Sequence, residues 1–356
     1  MGNPTVSAGY PKTLLEFAVS RGADRETLIA RSHIHPDELR NQDNRVPLAN
    51  YLAMLRAAIE VCSEPALSLL FGEAVKMSDI SIVGLIGQSV GNAEEGRQQL
   101  SRYGRLALDE DDGDPSDRAE VVREGRDVWL KFHSPIYTKN PLLTESGFAR
   151  CICGVRAMLA SMPHVAKMPF PKAIHFTHKE PSYRAQYDRI FGVPLFFESH
   201  VNAIVIDEAF LNMTMPPSNP YLSDVLKVHA EGLLDRLDSA KSMRGRVESL
   251  LVPLLHSGHA TMETIAGKLA CSRQTLFRRL KAEGVTFEKV VDALRHKLAL
   301  HYLREKKASV QETAYLVGFS DPGAFSRAFK RWTGSSPRMM QASKHETAES
   351  RRNAIE

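Results

Sequence analysis

Apolar residues recur every three or four positions through much of the first third of the chain, which predicts amphipathic helices between residues 13 and 105. Two faces are clear, at Leu14–Val19 and Tyr51–Cys62. The most apolar stretch, Ile80–Val90, is about a dozen residues long, whereas a membrane-spanning helix needs about 20. It predicts a buried helix, and no membrane partner is expected.

The hydrophobic pattern then becomes mixed. An acidic run at Asp109–Asp117 indicates a solvated loop, and alternation on both sides of Glu124-Gly125 predicts a β-hairpin over Val122–Phe132. The remaining predicted elements are helices at Leu142–Met162 and Tyr183–Phe191 and strands at Lys172–His178 and Phe196–Ile206. The pattern predicts a mixed α/β domain over residues 1–218.

Proline marks the end of this domain, in the run Pro216-Pro217-Ser218-Asn219-Pro220. Residues 219–245 are predicted to form a helix with an apolar stripe, Leu222–Leu237, followed by a polar and flexible stretch, Asp238–Gly245. The stripe either contacts a second copy of the chain or packs on its own domain. Residues 341–356 are predicted to be a polar tail.

Two short amphipathic helices joined by a tight turn are predicted between residues 262 and 281. The turn is Ala270-Cys271-Ser272, and Ser272 is placed to cap the second helix. The outer face of that helix combines polar, aromatic and basic side chains: Gln274, Phe277, Arg278 and Lys281. This combination is typical of a helix-turn-helix unit.

The same unit recurs about fifty residues later. Ser309 and Glu312 fit a capping box, and Gly318 suits the left-handed position after a helix. Pro322 opens the next helix, where no backbone N–H is needed. The outer face of this helix consists of Gly323, Ser326, Arg327 and Lys330. One such hairpin is commonly just a solvated surface, but two with matching caps and outward arginines favour DNA binding.

A long helix, Thr286–Arg304, separates the two units. Held apart in this way, two recognition helices can enter successive major grooves, about 34 Å apart on one face of a duplex. Residues 246–340 are therefore predicted to be an all-α DNA-binding domain. The whole chain is predicted to have an α+β fold, with a mixed α/β domain followed by this helical one.

The charge distribution supports a nucleic-acid partner, although the total charge does not. The 356 residues include 46 Lys and Arg against 42 Asp and Glu, a formal charge of +4. Residues 246–338 hold 16 Lys and Arg against 8 Asp and Glu, so this segment carries +8 and the remainder −4. A basic module on a mildly acidic body suits a polyanion.

The C-terminal segment resembles the AraC/XylS family of bacterial transcription regulators, over about 95 of the 356 residues. The resemblance is carried by Ala314–Pro337, which reads AYLVGFSDPGAFSRAFKRWTGSSP, and by Ser272–Gly284, which reads SRQTLFRRLKAEG. It implies a regulator that binds double-stranded promoter DNA and contacts RNA polymerase, as an activator or a repressor. The four sparse cysteines indicate reduced thiols and hence a cytoplasmic protein. Pro322-Gly323 departs from the pattern, because other members often place DNA-contacting side chains there.

The resemblance also implies roles for particular side chains. The expected base-reading residues are Gln274, Phe277, Arg278, Ser326 and Arg327. Arg suits guanine, Gln suits adenine, and Phe packs on a thymine methyl, although Phe277 could equally be a core residue. The expected phosphate contacts are Ser272, Arg273, Lys281, Lys330 and Arg331. Arg279 and Arg295 are alternatively partners in internal ion pairs.

The first 220 residues more faintly resemble the effector-sensing domain of the non-cupin subgroup of that family. The resemblance is carried by Phe176-x-His178-x-x-Pro181, Tyr187, Phe191-Gly192-x-Pro194 and Phe197. It implies a small-molecule effector and a possible homodimer. The polar candidates for the effector pocket are His133, Tyr137, His175, His178, Arg184 and His200.

Other function classes have weaker signals. The sequence has no nucleotide-binding glycine loop, no metalloprotease or serine-hydrolase motif, and no C-x-x-C pair, so we expect no catalytic site, cofactor or metal. The main alternative is a bifunctional DNA-binding protein with a catalytic or redox cysteine, for which Cys151 and Cys153 are the candidates. A further alternative is a DNA-packing protein without sequence preference, which the large N-terminal domain disfavours.

Overall fold

The computed structural model describes residues 3–110, 119–162, 169–211, 213, 220–257, 259–304 and 308–340. It divides into two compact units, Met1–Asp235 and Arg236–Glu356. The boundary lies inside the segment 219–245 that the sequence predicts as helix and linker. Most of the predicted acidic loop (111–117), the linker residues 216–219 and the polar tail 341–356 fall outside the described residues.

The N-terminal unit is predominantly helical. Its helices are α1 (Gly9–Val19), α2 (Arg25–Ser32), α3 (Leu48–Val61), α4 (Leu67–Ala74), α5 (Met77–Ile80), α6 (Ile82–Gly87), α7 (Ala93–Ala107), α8 (Pro135–Lys139), α9 (Pro141–Ala160), α10 (Arg184–Phe191), α11 (Glu208–Leu211) and α12 (Pro220–Lys241), which crosses the unit boundary. The predicted helical faces of α1 and α3 are buried, which confirms the helical periodicity of the first hundred residues.

Two sheets complete this unit. The strands are β1 (Thr5–Ser7), β2 (Arg45–Pro47), β3 (Leu108–Asp109), β4 (Ala119–Glu124), β5 (Asp127–Phe132), β6 (Ala173–His175), β7 (Leu195–Phe196) and β8 (Asn202–Asp207). The first three form a small antiparallel sheet in the order β2-β1-β3. The others form a sheet in the order β4-β5-β8-β6-β7, in which only β6 and β7 are parallel. The predicted α+β class and the hairpin of β4 and β5 are confirmed.

Several sequence predictions in this unit are wrong in detail. Asp109 does not begin a solvated loop: it is 3% exposed in β3 and accepts a hydrogen bond from Arg105. The predicted strand at Lys172–His178 ends at His175, and the one at Phe196–Ile206 is replaced by β7 and β8. The three-stranded sheet was not predicted, because strands of two or three residues are too short to show alternation.

Helix α9 lies between the two hydrophobic clusters of the N-terminal unit. Leu143 belongs to the cluster formed with α1 and α3, and Phe148 to the cluster formed with β5, β6 and β8. Helix α4 packs so closely on α9 that a Cβ added to Gly72 would lie 2.3 Å from the carbonyl oxygen of Ser146. Glycine at this position lets the two backbones approach, and it fixes the position of α9.

The C-terminal unit is helical throughout its described residues. After the end of α12 it contains α13 (Met243–Leu251), α14 (Met262–Lys268), α15 (Arg273–Ala282), α16 (Phe287–Arg304), α17 (Val310–Leu316) and α18 (Pro322–Thr333). One hydrophobic cluster holds α13, α14, α15 and the first half of α16, and the other holds the second half of α16 with α17 and α18. The 18-residue helix α16, about 27 Å long, therefore joins two small cores, as predicted.

The segment before these cores differs from its prediction. Helix α12 buries Ser223, Ala230 and Leu237, whereas Leu222 and Val225 of the predicted apolar stripe are 52% and 47% exposed. The stretch Asp238–Gly245, predicted to be polar and flexible, instead contains the end of α12 and the start of α13. A Cβ added to Gly245 would lie 1.6 Å from the carbonyl oxygen of Ser239, so this turn is tightly packed.

Candidate nucleic-acid interface and N-terminal cavity

Helix α15 presents a continuous outward face in the first helix-turn-helix unit. Ser272 caps it, its hydroxyl accepting a hydrogen bond from the amide of Thr275 at 3.1 Å. The helix is anchored on the other side by the fully buried Leu276 and Leu280. The exposed side chains at i, i+3, i+4 and i+7 are Gln274, Phe277, Arg278 and Lys281.

The sequence leaves open whether Phe277 is a core residue or a DNA contact. Its side chain is 48% exposed, so it is not a core residue of α15. It stands between Gln274 and Arg278, which are also exposed. An exposed aromatic ring among polar and basic groups can pack on a thymine methyl in a major groove.

Helix α18 repeats this arrangement in the second unit. The carboxylate of Asp321 caps the helix, accepting from the amides of Gly323 and Ala324 at 3.0 and 2.7 Å, and these hydrogen bonds lower its pKa. Phe325 and Phe329 are fully buried and replace the two leucines of α15. Arg327 is exposed, with a loose 3.7 Å ion pair to Asp321, so its guanidinium remains accessible to a ligand.

The remaining predicted contacts on α18 differ from one another. Lys330 is exposed on the same face as Arg327. The hydroxyl of Ser326 donates to the carbonyl of Pro322 at 2.9 Å, so part of its hydrogen-bonding capacity is used within the helix. Arg331 forms a 2.9 Å ion pair with Asp292 of α16. Of the four predicted contacts on this helix, Arg327 and Lys330 are therefore the most available to DNA.

Other cationic groups of this unit have internal partners. Arg273, a predicted phosphate contact, pairs with Glu263 of α14 at 2.9 Å in an exposed ion pair. Arg295 is half-buried, stacks over Phe319 with 4.7 Å between its guanidinium carbon and the ring centre, and donates to the carbonyl of Gly318. Burial lowers the pKa of Arg295. Arg295 therefore connects α16 to the turn of the second unit, through a carbonyl and a ring and not through the ion pair considered from sequence.

The predicted effector-pocket residues lie in separate places in the N-terminal unit. His133 is exposed and pairs with Glu120, and Arg184 pairs with Glu180 and Asp188 on the surface. His175 stacks on Phe196. The structure does not bring the candidate side chains into one pocket.

His178 and Arg184 are the nearest to a shared site. The ring of His178 lies 5.6 Å from that of Phe197, and the guanidinium carbon of Arg184 lies 5.1 Å from the same ring. The Nε2 atom of His178 is 3.5 Å from the hydroxyl of Tyr187, and burial lowers the pKa of His178. Of the residues that carry the N-terminal resemblance, Phe176, Tyr187 and Phe191 are fully buried and build the core.

Tyr137 lines a small cavity on the other side of α9, which we call the α9 cavity. It has a volume of about 20 Å³ and is lined by Val6, Tyr10, Tyr51, Leu108, Tyr137, Leu143, Ser146, Gly147 and Arg150. Arg150 is 7% exposed and is the only Lys or Arg in this lining. Among the sequence-predicted effector residues, Tyr137 alone contributes to the cavity.

Helix α9 also holds a buried carboxyl on its opposite side. One oxygen of Glu145 accepts hydrogen bonds from the hydroxyls of Tyr183 and Tyr187 at 3.0 and 2.6 Å, and the other has no partner. Burial raises the pKa of Glu145 to about 7 and raises the pKa of both tyrosines. Sequence reasoning missed Glu145 and Arg150, because only their position on a helix buried on both sides distinguishes them from surface charges.

The cysteines of α9 lack the features of a reactive thiol. Desolvation raises the pKa of Cys151 to about 11, although the residue as a whole is exposed, and it also raises the pKa of the half-buried Cys153. A raised pKa keeps each thiol protonated and weakly nucleophilic.

The described part of the chain contains no group of three or more side chains placed to hold a metal ion. Nor does any helix in it have the length and apolar character needed to cross a membrane.

Comparison with known proteins identifies both units. Residues 22–215 match the family model for the arabinose-binding domain of AraC transcription regulators, and residues 265–343 match a helix-turn-helix domain model. The ornithine utilization regulator of Pseudomonas aeruginosa is 26% identical over 333 residues, covering 93% of this chain and 95% of the relative. The transcriptional regulator VirS of Mycobacterium tuberculosis is 24% identical over 342 residues, 94% of each chain.

A solved structure is also similar. The transcriptional regulator CdpR from Pseudomonas aeruginosa has a TM-score of 0.38 and 20% sequence identity, over 89% of this chain and 96% of that one. The N-terminal family model covers more than half of the present sequence. The chain therefore belongs to the AraC family of helix-turn-helix transcription regulators that carry an arabinose-binding-type N-terminal domain.

Proposed function

We infer that this protein binds particular promoter sequences through α15 and α18, and that a small molecule bound by the N-terminal unit controls this activity. The observation that carries the proposal is the matched pair of exposed faces, with Arg278 and Lys281 on one helix and Arg327 and Lys330 on the other. The arginines suit guanine edges and the lysines suit phosphates. Gln274 and Phe277 extend the base-reading face of α15.

The geometry also supports a defined spacing of the DNA contacts. Helix α16 is about 27 Å long and joins the cores of the two units. Two recognition helices separated in this way can reach successive turns of one duplex face. We expect Ser272, Arg273 and Arg331 to contribute phosphate contacts. For this, Arg273 and Arg331 must either leave their carboxylate partners or bind a DNA phosphate at the same time.

Gel-shift and footprinting experiments test this function. The full chain should bind DNA from upstream of its own or neighbouring genes more tightly than scrambled DNA of the same length and composition. Footprints should show two protected segments one helical turn apart. Equal affinity for the scrambled DNA would contradict sequence-specific regulation and favour the DNA-packing alternative. Repeating the titration with candidate metabolites tests control by an effector.

A cytoplasmic location, contact with RNA polymerase and a homodimer also belong to this proposal. Tyr221, Leu222, Val225 and Val228 of α12 are all exposed apolar side chains, with Tyr221 and Val228 more than 70% exposed. Such side chains suit burial against a second copy of the chain. Equilibrium sedimentation of the full chain, with Val228→Asp as the variant, distinguishes a dimer from a monomer; an unchanged mass in the variant would exclude this contact.

The catalytic-cysteine alternative has no comparable support. The raised pKa values of Cys151 and Cys153 disfavour a thiolate at neutral pH. Both aligned relatives are named as regulators. Titration of the native chain with a thiol reagent at neutral pH tests the point, since one thiol reacting far faster than a free cysteine would favour the catalytic alternative.

A further inference from the structure

Helix α9 buries a run of polar side chains in the middle of the N-terminal unit. Thr144, Glu145, Ser146 and Arg150 are each less than 10% exposed. Buried polar and charged groups are costly unless their hydrogen bonds are satisfied. Each of these side chains therefore needs hydrogen-bond or ion-pair partners. Arg150 has only part of the set that its guanidinium group can bond.

The guanidinium of Arg150 has few polar contacts. Its Nη2 atom donates to the hydroxyl of Ser146 at 2.9 Å, while its Nε atom is buried without a hydrogen-bond partner. The rings of Tyr10 and Phe71 lie 5.4 and 5.1 Å from its central carbon. No Asp or Glu of the described residues forms an ion pair with it. Two aromatic rings and one hydroxyl leave the positive charge without an anion.

Arg156, six residues further along α9, shows how a half-buried arginine obtains a full set of hydrogen-bond acceptors. Its guanidinium donates to the carbonyls of Phe170, Ile190 and Phe191, so each nitrogen has an acceptor. That arrangement is structural, because it ties α9 to two other segments. Arg150 has no such set of carbonyl acceptors, and it lines the α9 cavity instead.

The lining of the α9 cavity indicates which anion would fit. Arg150 is the single cation, and Tyr10, Tyr51 and Tyr137 add phenol groups. Burial raises the pKa of Tyr51, so its hydroxyl stays protonated and can donate a hydrogen bond. Val6, Leu108 and Leu143 make the rest of the wall apolar. One guanidinium in such a wall suits a carboxylate on an apolar stem better than a doubly charged phosphate.

We propose that the α9 cavity binds the carboxylate of a small organic acid, with Arg150 as its ion-pair partner, and that this acid is the effector class of the regulator. The effector role of this acid rests on the proposed function, whereas its binding does not. The cavity volume of about 20 Å³ holds about one water, so even formate, the smallest such acid, enters only when the surrounding rings move. Ligand binding at this place is therefore linked to the packing of α1, α3 and α8 against α9.

Thermal unfolding of the full chain with formate and acetate as probes tests the proposal. Both should raise the unfolding midpoint in a saturable manner, because a ligand that binds only the folded state stabilises it. Formamide and acetamide have the same shapes without the charge and should not. Chloride at matched ionic strength controls for salt, and inorganic phosphate tests the other anion class.

Variants of the two arginines of α9 identify the site. Arg150→Met should lower the affinity for acetate at least about tenfold, and without acid its midpoint should equal or exceed that of the wild type. Arg156→Met, the matched control, should lower the midpoint and keep the acetate response. Arg150→Lys, which retains the charge, should weaken acetate binding less than Arg150→Met and serves if the methionine variant does not fold.

The proposal is overturned if the acids and the amides act alike on the wild type, if phosphate alone stabilises it, or if Arg150→Met keeps the full acetate response. A gel shift on the same samples separates this result from the proposed function. Intact promoter binding without any response to the acids would overturn the carboxylate site only. Loss of sequence preference with an intact acetate response would overturn the DNA-binding proposal only.

Discussion

Ala270 and Gly318 occupy the same left-handed position in the turns of the two helix-turn-helix units, with φ of +49° and +82°. In each turn the next amide donates to the carbonyl of an alanine five residues earlier, Ala266 or Ala314, at 3.0 and 2.9 Å. The two turns therefore begin with the same hydrogen-bonded closure. One of them does so with a side chain that disfavours this backbone conformation.

We predict that Ala270→Gly stabilises the C-terminal unit. A left-handed conformation costs an L-residue about 1–2 kcal/mol, and the greater freedom of glycine in the unfolded chain offsets part of that relief. Because Ala270 is exposed, its methyl group contributes little packing. The net gain should be up to about 1 kcal/mol, measurable as a higher midpoint in denaturant unfolding.

Gly318→Ala provides the opposite test of the same turn. A Cβ at this position would lie 2.2 Å from the carbonyl oxygen of Leu255, in addition to the backbone strain. The variant should lose at least about 2 kcal/mol of unfolding free energy. In this interpretation the two turns share one backbone geometry, but Gly318 is crowded and Ala270 is not. Equal effects of the two substitutions on the unfolding free energy would contradict it.

We predict that Arg278→Ala and Arg327→Ala each weaken binding to the cognate promoter by about 1–3 kcal/mol while changing non-specific binding little. Both guanidinium groups are exposed on recognition helices, at equivalent positions of the two units. Competitive gel shifts with cognate and scrambled DNA measure the two affinities. Arg25→Ala, an exposed position of the N-terminal unit, removes the same charge and should leave both unchanged.

Lys330→Ala should act differently from the arginine variants. A flexible ammonium group on the edge of α18 suits a phosphate, whose contact carries no sequence information. The variant should weaken cognate and scrambled DNA by the same factor and reduce the slope of log affinity against log salt by about 1. A selective loss of cognate binding would instead make Lys330 a base-reading residue.

The sequence was sufficient to predict the two helix-turn-helix units because their signals are local. The caps at Ser272 and Ser309, the left-handed turn at Gly318 and the outward arginines all depend on neighbours within a few residues. The structure adds the internal pairing of Arg331 with Asp292, which involves two helices far apart in sequence.

The N-terminal unit was predicted less well, for the opposite reason. Strands β1 and β3 are short and pair across about a hundred residues, so no periodicity marks them. Arg150 and Glu145 have the sequence context of ordinary helix-surface charges, and only the packing of α9 between two clusters buries them. The effector candidates drawn from histidines and Arg184 followed residue type alone. The structure brings His178 and Arg184 together at Phe197, whereas His133 and His175 contact other residues.

We predict that Glu145→Gln makes the stability of the N-terminal unit less dependent on pH. Burial raises the pKa of Glu145 in the folded state to about 7, whereas an unfolded glutamate titrates near 4.3. Between these values the folded state holds a proton that the unfolded state has lost. The free energy of unfolding should therefore fall as pH rises from about 4.5 to about 7, by roughly 3 kcal/mol in total, and then level off.

Denaturant unfolding at pH values across that range measures the part of the stability that depends on Glu145. Replacing Trp332 by Phe in both proteins leaves Trp129, in β5, as the fluorescent reporter of the N-terminal unit. His178 contributes a change of opposite sign, because burial lowers its pKa, but it is present in both proteins and cancels in the difference. The unfolding free energy of the wild type minus that of Glu145→Gln should fall as pH rises and level off near pH 7. Parallel pH profiles would mean that the carboxyl of Glu145 titrates at the same pH in the folded and unfolded chain, and would contradict the raised pKa.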